Sequence, residues 1–572
     1  MAAADRLSAL SDELLQHLLA FASAKEAAAS AALSRRWRPL WRRASALNLD
    51  SRPYSRQHSH DDRFDEFFRD GKAALRGRLG TPPKRLTLLL MEDAYLVGDS
   101  WHYYMDDDAE LEYDARVAGL LADPAVAALE ELRIACDRCY SFMYVPPLAS
   151  LPCAATTLRV LEIHNCNLEP PSTEPSARLA FPCLADLSLR SCTYLQGYLQ
   201  TVVDAAPALN RLALVDVTNK PPKPAGSGKR DRYEEFKSFN LCLRSPTVTT
   251  LVLETNNDSR DELDDSRNIG IQLDMPTLCS FRYKGFPVKF SLISPAPGLA
   301  RVDLDTCRRE RSFYKCEPAA PMLANFSSTR ALKLHLITIE EIILDPNYES
   351  GDYKAPFGLS SRPNGVQNPG EATILPTFPN LKLLEIDGTF KYQNSNTALA
   401  LATLLRACPT MSELRLRLHM AYDYHYDRKT EEREAGGPFA QSVERFKMLA
   451  SMCTEHRDDV ELATVSDLPG PFANSCTSFG CLRTSLRKVT LQFKSKELNC
   501  FPVQLAKFLV ENAMVLEEMH VEDGDQFWPD HLWDKLARWR ADAFRRRNLP
   551  ETAAGFRVYQ QANHVEDLMV HY

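Results

Sequence analysis

The sequence lacks the marks of several function classes. No apolar run comes near the roughly 20 residues that cross a bilayer, and Met1-Ala-Ala-Ala leads straight into Asp5 and Arg6 without an apolar leader. The expected location is therefore the cytoplasm or nucleus, with no membrane partner. Basic charge is not in excess: the formal net charge is −8 and the pI is near 6.0, which argues against a general nucleic-acid binder. No Ser/His/Asp or Cys/His set stands out by spacing, so catalysis is not expected. Cys136-x-x-Cys139 has the spacing of half a zinc site but lacks a second pair at the usual distance. Gly226-Ser-Gly-Lys229 misses the first glycine of a phosphate loop, where Lys223 stands, and its hydroxyl residue, where Arg230 stands. Asp106-Asp107-Asp108 with Glu110 and Glu112 reads as a solvated loop. No cofactor and no metal are expected, and the 15 cysteines read as reduced packing residues.

The chain has 572 residues, 45% apolar and 25% charged, an ordinary globular composition. That length suits several domains or one short module followed by a repeat array. The first fifty residues read as three short helices. Ser11 precedes Asp12 and Glu13, whose carboxylates favour a helix N-terminus, and Leu14, Leu15, Leu18 and Leu19 form one apolar stripe. Ser23-Ala-Lys-Glu26 is a capping-box pattern. A third helix is expected to start from Leu33-Ser34, with Ser34 as N-cap, Trp37, Leu40 and Trp41 on one side, and Pro39 bending or shortening it. So short a segment cannot bury this much Leu and Trp alone. The surplus packs on the following domain or enters a partner's groove.

Beyond a helix expected around Phe64, Phe67, Phe68 and Leu75, the text L-x-x-L-x-L dominates. It recurs from Leu129 to Val521, and the starts at 129, 158, 184 and 209 are 29, 26 and 25 residues apart. That period and alternation describe short parallel strands with leucines inward and helices returning outside, such as 197–207 and 397–409. Cys166, Cys192 and Cys307 then pack at a bend after the strand. Insertions interrupt the period at 218–238, 345–376 and 420–480. The basic runs Arg35-Arg36-Trp37-Arg38 and Arg545-Arg546-Arg547 read as a helix's wet face or as charge compensation at a helix C-terminus.

The stretches LSDELLQHLLAF and SAKEAAASAALSRRWRPLW and the exit ALNLD, together covering Leu7 to Asp50, resemble a plant F-box. Ser11 stands where that family usually has proline, and Ala22-Ser23 where it often has Leu-Pro. Residues 486–524 resemble the FBD region that closes many plant F-box repeat proteins, with a helix at 501–512 carrying Phe501, Leu505, Phe508 and Leu509 inward, and a last helix from Trp533 to Arg547. The resemblance implies an α/β chain: a three-helix F-box over 5–50, a linker helix with the first irregular repeats over 51–128, a leucine-rich-repeat solenoid over 129–480, and an FBD-like cap with a C-terminal helix over 481–572. It implies a non-catalytic substrate-recognition subunit of an SCF-type (Skp–cullin–F-box) ubiquitin ligase. The F-box docks on a Skp-type adaptor, which joins it to a cullin, and the solenoid binds a target protein. A non-ligase scaffold with a degenerate F-box is the alternative.

The adaptor-binding residues are expected to be Leu10, Ser11, Leu14, Leu15, Leu18, Leu33, Trp37, Leu40 and Trp41. The target is expected on the strand face, between the inward leucines. The residues there are Glu162, His164, Asp186, Arg190 and Arg211 early, Arg282, Lys284, Arg301, Asp303 and Asp305 in the middle, and Glu385, Asp387, Arg415 and Arg417 late. They are read as clustered by sign into a charged, polar ligand surface.

Overall fold

The computed structural model describes residues 10–54, 60–78, 80, 82–91, 115–137, 145–170, 179–195, 197–220, 240–255, 270–285, 288–306, 319–342, 375–390, 395–420, 468, 479–493, 501–522, 529–549 and 556–560. Cys139, Cys307, the acidic group at 106–112, the glycine-lysine stretch at 226–229 and most of the three insertions lie outside the described residues. The chain divides into two compact units, Met1–Arg282 with Ser291–Gly298, and Tyr283–Phe290 with Leu299–Tyr572.

The first unit opens with helices α1 (Asp12–Leu19), α2 (Ala24–Ala29) and α3 (Trp37–Arg43). Ser11 caps α1, its Oγ accepting from the Leu14 N–H at 3.3 Å, with Asp12 and Glu13 in the first turn where the helix dipole favours them. The capping box of α2 is complete: Ser23 Oγ accepts from Glu26 N–H at 3.3 Å, and Glu26 Oε2 from Ser23 N–H at 3.2 Å. The third helix starts later than the Ser34 reading has it. Arg36 occupies the N-cap position with no side-chain capping bond. Pro39 therefore falls in the first turn, where no intrahelical bond awaits its missing N–H, and the helix continues to Arg43.

Seven parallel strands then lie side by side in chain order: β1 (Ala46–Asp50), β2 (Arg85–Met91), β3 (Glu131–Asp137), β4 (Val160–His164), β5 (Asp186–Arg190), β6 (Arg211–Val215) and β7 (Thr250–Glu254). Their register aligns Leu47, Leu86, Leu132, Leu161, Leu187, Leu212 and Leu251 in one buried row. The leucine motif thus becomes a continuous core because alternate strand residues share a face. The sheet reaches further toward the N-terminus than the motif does, since β1 is the ALNLD segment itself. Helix α4 (His60–Arg76) buries Phe67, Phe68 and Leu75. Helix α5 (Tyr198–Asp204) springs from Gly197, whose φ of 84° is left-handed and free of strain only for glycine.

Each strand from β4 to β6 ends on a left-handed residue, Asn165, Ser191 and Asp216, with φ of 55°, 50° and 53°. Their N–H groups donate to Arg190, Val215 and Glu254 carbonyls of the next strand at 2.8, 2.7 and 2.7 Å. The bend turns Cys166 and Cys192 into the core, where their thiols meet the His164 and Arg190 carbonyls at 3.3 and 3.2 Å. Burial pushes the Cys192 thiol up to about 11, which suits packing and not nucleophilic chemistry. In some repeats a hydroxyl placed just before the motif makes a tie to the preceding repeat. Thr157 Oγ1 donates to the Leu129 carbonyl at 2.6 Å and Thr277 Oγ1 to the Val248 carbonyl at 3.0 Å.

The second unit repeats the design with β8 (Arg301–Asp305), β9 (Ala331–Thr338), β10 (Leu383–Phe390), β11 (Glu413–Met420), β12 (Lys488–Phe493), β13 (Glu518–Glu522) and β14 (Arg557–Gln560), again parallel and in chain order. Here too Thr410 Oγ1 donates to the preceding repeat, at the Leu381 carbonyl, 3.3 Å away. Leu401, Leu404 and Leu405 of α6 (Ser395–Ala407) and Leu505 of α7 (Phe501–Asn512) close over Leu384, Ile386, Leu414 and Leu416 of the sheet. Leu505, Phe508 and Leu509 of α7 are buried, while Phe501 is half-buried beside Phe390, their ring centroids 5.8 Å apart.

The last helix, α8 (Pro529–Arg546), is latched to α7 by Arg540. Its buried guanidinium donates to the carbonyls of Val510, Ala513, Met514 and Leu516 at 3.1, 2.9, 3.5 and 3.0 Å. These are the orphan acceptors of a helix end and the turn behind it. Arg546 pairs with Glu511 at 3.3 Å, and Arg547 Nη1 donates to the Glu511 carbonyl at 2.5 Å. Two members of the basic run at 545–547 thus serve the C-terminus of α7 as well as their own helix.

Candidate functional site

The three-helix segment has a core of its own, formed by Leu15, Leu19, Ala20, Ala27, Trp37, Leu40, Ala44 and Ala46. Polar bonds hold the helices in place around it. Arg36 Nε donates to Asp12 Oδ1 at 2.7 Å and its Nη2 to the Leu10 carbonyl at 2.5 Å, tying the start of α3 to the start of α1. Asn48 Nδ2 donates to the carbonyls of Ala20 and Ala22 at 2.9 and 3.0 Å, tying β1 to the end of α1. Arg78 reaches the carbonyls of Ala44 and Ala46 from below, and burial pushes its guanidinium down to about 10.

This packing splits the leucine stripe of α1. Leu15 is 0% exposed and Leu19 7%, whereas Leu14 is 52% and Leu18 49% exposed. Phe21 and Leu33, each 67% exposed, belong to the same segment. Among the described residues six large apolar side chains are exposed, and four of them fall between Leu14 and Leu33. Of the residues expected to meet an adaptor, Ser11, Leu14, Leu18 and Leu33 lie on the surface. Leu10 and Trp41 are half-buried at the edge of the core, and Leu15, Trp37 and Leu40 are enclosed within it. Phe21 was not anticipated. Its position three residues after Leu18, continuing the 14–18 spacing, is the signal that marks it.

The strand face carries the polar candidates. In the first unit Arg133 Nε stands 3.3 Å from Glu162, Arg211 3.9 Å from Asp186, and Arg282 3.4 Å from Glu254. Burial pushes the Asp186 carboxyl up, and the charges of Arg211 and Arg133 oppose it. His164 and Arg190 are register partners and both are exposed. Between the charged pairs, register aligns Ser188, Ala213 and Val252, an uncharged stretch three strands wide that the charge-based reading did not include.

In the second unit the face is a ladder. One row runs Asp303, Lys333, Glu385, Arg415, and the next runs Asp305, His335, Asp387, Arg417. Lys333 Nζ is 2.7 Å from Glu385, Arg415 2.9 Å from Glu413, Arg417 3.2 Å from Asp387, and Arg301 3.0 Å from Asp303. The row continues through Arg417 Nε to Gln492 at 2.6 Å and Gln492 Nε2 to Glu522 at 2.9 Å. Basic and acidic residues interleave across these strands and neutralise one another; they do not gather by sign. Such cross-strand pairs set register and add little stability each, about 0–1 kcal/mol when exposed. Lys284 is half-buried on the same face. Among the described residues no three His, Cys, Asp or Glu side chains converge as metal ligands, and no helix is long and apolar enough to cross a membrane.

Comparison with known proteins agrees with the leucine-rich-repeat character of the strands. A family model described as the leucine-rich repeats of the FBD-associated F-box protein At5g56370 matches residues 117–227. The F-box/FBD/LRR-repeat protein At1g80470 of Arabidopsis thaliana is 21% identical over 346 residues, 59% of this chain and 62% of that protein. The F-box/LRR-repeat protein At2g42720 of the same plant is 42% identical over 85 residues, 15% of this chain and 18% of that protein. The MEIOTIC F-BOX protein MOF of Oryza sativa subsp. japonica is 30% identical over 230 residues, 38% of this chain and 42% of that protein. The chain spans less than two thirds of the length of each of these relatives.

Proposed function

We infer that this relative of the plant F-box/leucine-rich-repeat proteins with an FBD region is the substrate receptor of an SCF-type ubiquitin ligase. Residues 5–50 act as the F-box and dock on a Skp-type adaptor, which joins the chain to a cullin. Residues 51–128 supply a linker helix and the first irregular repeats, the solenoid over 129–480 presents its strand face to a target protein, and residues 481–572 close the array. The chain itself is non-catalytic, takes no cofactor, and works in the cytoplasm or nucleus. Its mechanism is proximity: holding a target lysine near a ubiquitin carrier raises the local concentration of the reacting groups.

The observation that carries this reading is the exposure of Leu14, Leu18, Phe21 and Leu33 on a segment whose core is otherwise complete. Burying such a leucine is worth about 1.5–3 kcal/mol, and the fold itself leaves that gain uncollected. A partner groove collects it in the manner of a helix laid into a hydrophobic cleft. The test is purification of the full chain with a Skp-type adaptor and a cullin. Recovery of all three supports the receptor reading, adaptor without cullin supports a scaffold outside the ligase, and absence of both overturns it.

A further inference from the structure

The α3 segment carries a second surface beside the apolar one. Between Arg35 and Arg43 the chain places five arginines and no acidic residue, in a protein whose formal net charge is −8. One of them, Arg36, is spent on Asp12 and the Leu10 carbonyl. Arg35, Arg38, Arg42 and Arg43 are exposed, and none has an acidic partner among the described residues. The patch adjoins the apolar face in the chain, since Leu33 lies two residues before Arg35. It also adjoins it in space, because the Arg36–Asp12 bond of 2.6 Å pins the start of α3 beside the start of α1.

We propose that this arginine patch is the electrostatic half of the adaptor-docking face, and that it fits an acidic segment of the adaptor bordering the groove that takes Leu14 and Leu18. The proposal rests on the adaptor reading above and names the chemistry of the partner's rim. Charge complementarity and continuity with the apolar face favour this occupant. Exposed arginines without acidic partners attract an acidic surface over about a Debye length, ~10 Å at 0.1 M salt, and chiefly raise the rate of encounter. The apolar anchors then set the lifetime of the complex. Arg42 lies over the Trp41 ring, 5.4 Å from its centroid, whereas Arg35 and Arg38 are exposed, so reversing these two leaves the core intact.

The experiment measures association of one purified Skp-type adaptor with the full chain, at about 0.05 M and 0.5 M salt. The chains compared are wild type, Arg35→Glu with Arg38→Glu, Arg35→Gln with Arg38→Gln, and Leu14→Ala with Leu18→Ala. Thermal melting of each variant checks the fold. The expected result is a loss of at least tenfold in affinity for the Glu pair at low salt, carried mainly by the association rate. The Gln pair loses less, and the deficit shrinks to under threefold at high salt. The leucine pair fails to bind at either salt. Affinity within twofold of wild type for the Glu pair at both salts overturns the inference while leaving the adaptor reading intact. No complex with the wild-type chain overturns both. Charge-dependent binding to anionic vesicles or nucleic acid, with the adaptor indifferent to the reversals, assigns the patch to another partner and also overturns it.

Discussion

Two sets of leucines in this chain have opposite fates. Along the strands, Leu132, Leu161, Leu187 and Leu212 stand in register and are sealed from water by the repeats around them. On α1, Leu14 and Leu18 turn outward although Leu15 and Leu19 beside them complete a core. A repeat array satisfies its own leucines because each copy supplies the wall for the next. A module of three short helices has no such neighbour on its outer side. Exposed leucine therefore means different things in the two regions: in the array it would be a defect, and in the module it is the surface proposed to take a partner.

The sharpest way to break the contrast is to attack the enclosed residues of the module. Leu40→Ala is expected to cost about 2–5 kcal/mol and Trp37→Ala about 3–5 kcal/mol, since both open cavities in a small core. Circular dichroism and limited proteolysis should show the first fifty residues loosening while the strands persist. Resistance to protease equal to wild type would mean that the module does not depend on this core.

At the other end of the chain, Arg540→Met should cost about 3 kcal/mol or more, because buried carbonyls lose their donor together. Arg540→Lys should recover only part of this, as an ammonium cannot span the same fork of acceptors. The melting temperature of the full chain is the measurement, and Lys restoring wild-type stability would reduce the latch to a mere charge.

Much of the array is legible in the sequence, because the L-x-x-L-x-L text states strand, period and inward face at once. The capping box of α2 was equally plain, since Ser23 and Glu26 are three residues apart. What stayed hidden depended on register across distant residues. The alternation Asp303, Lys333, Glu385, Arg415 joins positions about thirty to fifty residues apart, so the charges look clustered in the text and interleave in space. Arg540 reaches carbonyls up to thirty residues away, and its sequence neighbourhood differs little from any basic helix. In α1 the stripe of four leucines was visible, but which two face inward follows from the placement of Trp37 and Leu40, which no helical period encodes.

The strand face offers a smaller effect. Arg282→Glu with Lys284→Glu should change stability by about 0.5 kcal/mol or less, while weakening capture of whatever target the chain retains. At position 282 the reversal sets two carboxylates face to face, since Arg282 now stands 3.4 Å from Glu254. Recovery of the target at the wild-type level, with loss on changing the outer helices instead, would move the binding face off the strands.

The smallest shift is expected at Ser11. Its φ of −66° already suits proline, and restricting the free chain contributes about 0.4–1 kcal/mol. Against this stands the loss of a cap bond that is exposed and 3.3 Å long. Ser11→Pro is expected to bind the adaptor a few-fold more tightly by titration calorimetry. Equal or weaker binding would show that the serine cap contributes more than the proline ring.

The two fates of leucine meet in one measurement, the affinity of a purified Skp-type adaptor for the full chain before and after Leu14→Ala with Leu18→Ala. Hot-spot side chains commonly contribute about 2 kcal/mol or more each. The complex should therefore weaken by about a thousandfold or vanish, with the melting temperature unchanged because neither side chain belongs to the core. An adaptor complex as tight as that of the wild-type chain would contradict the account and remove the docking role from this face.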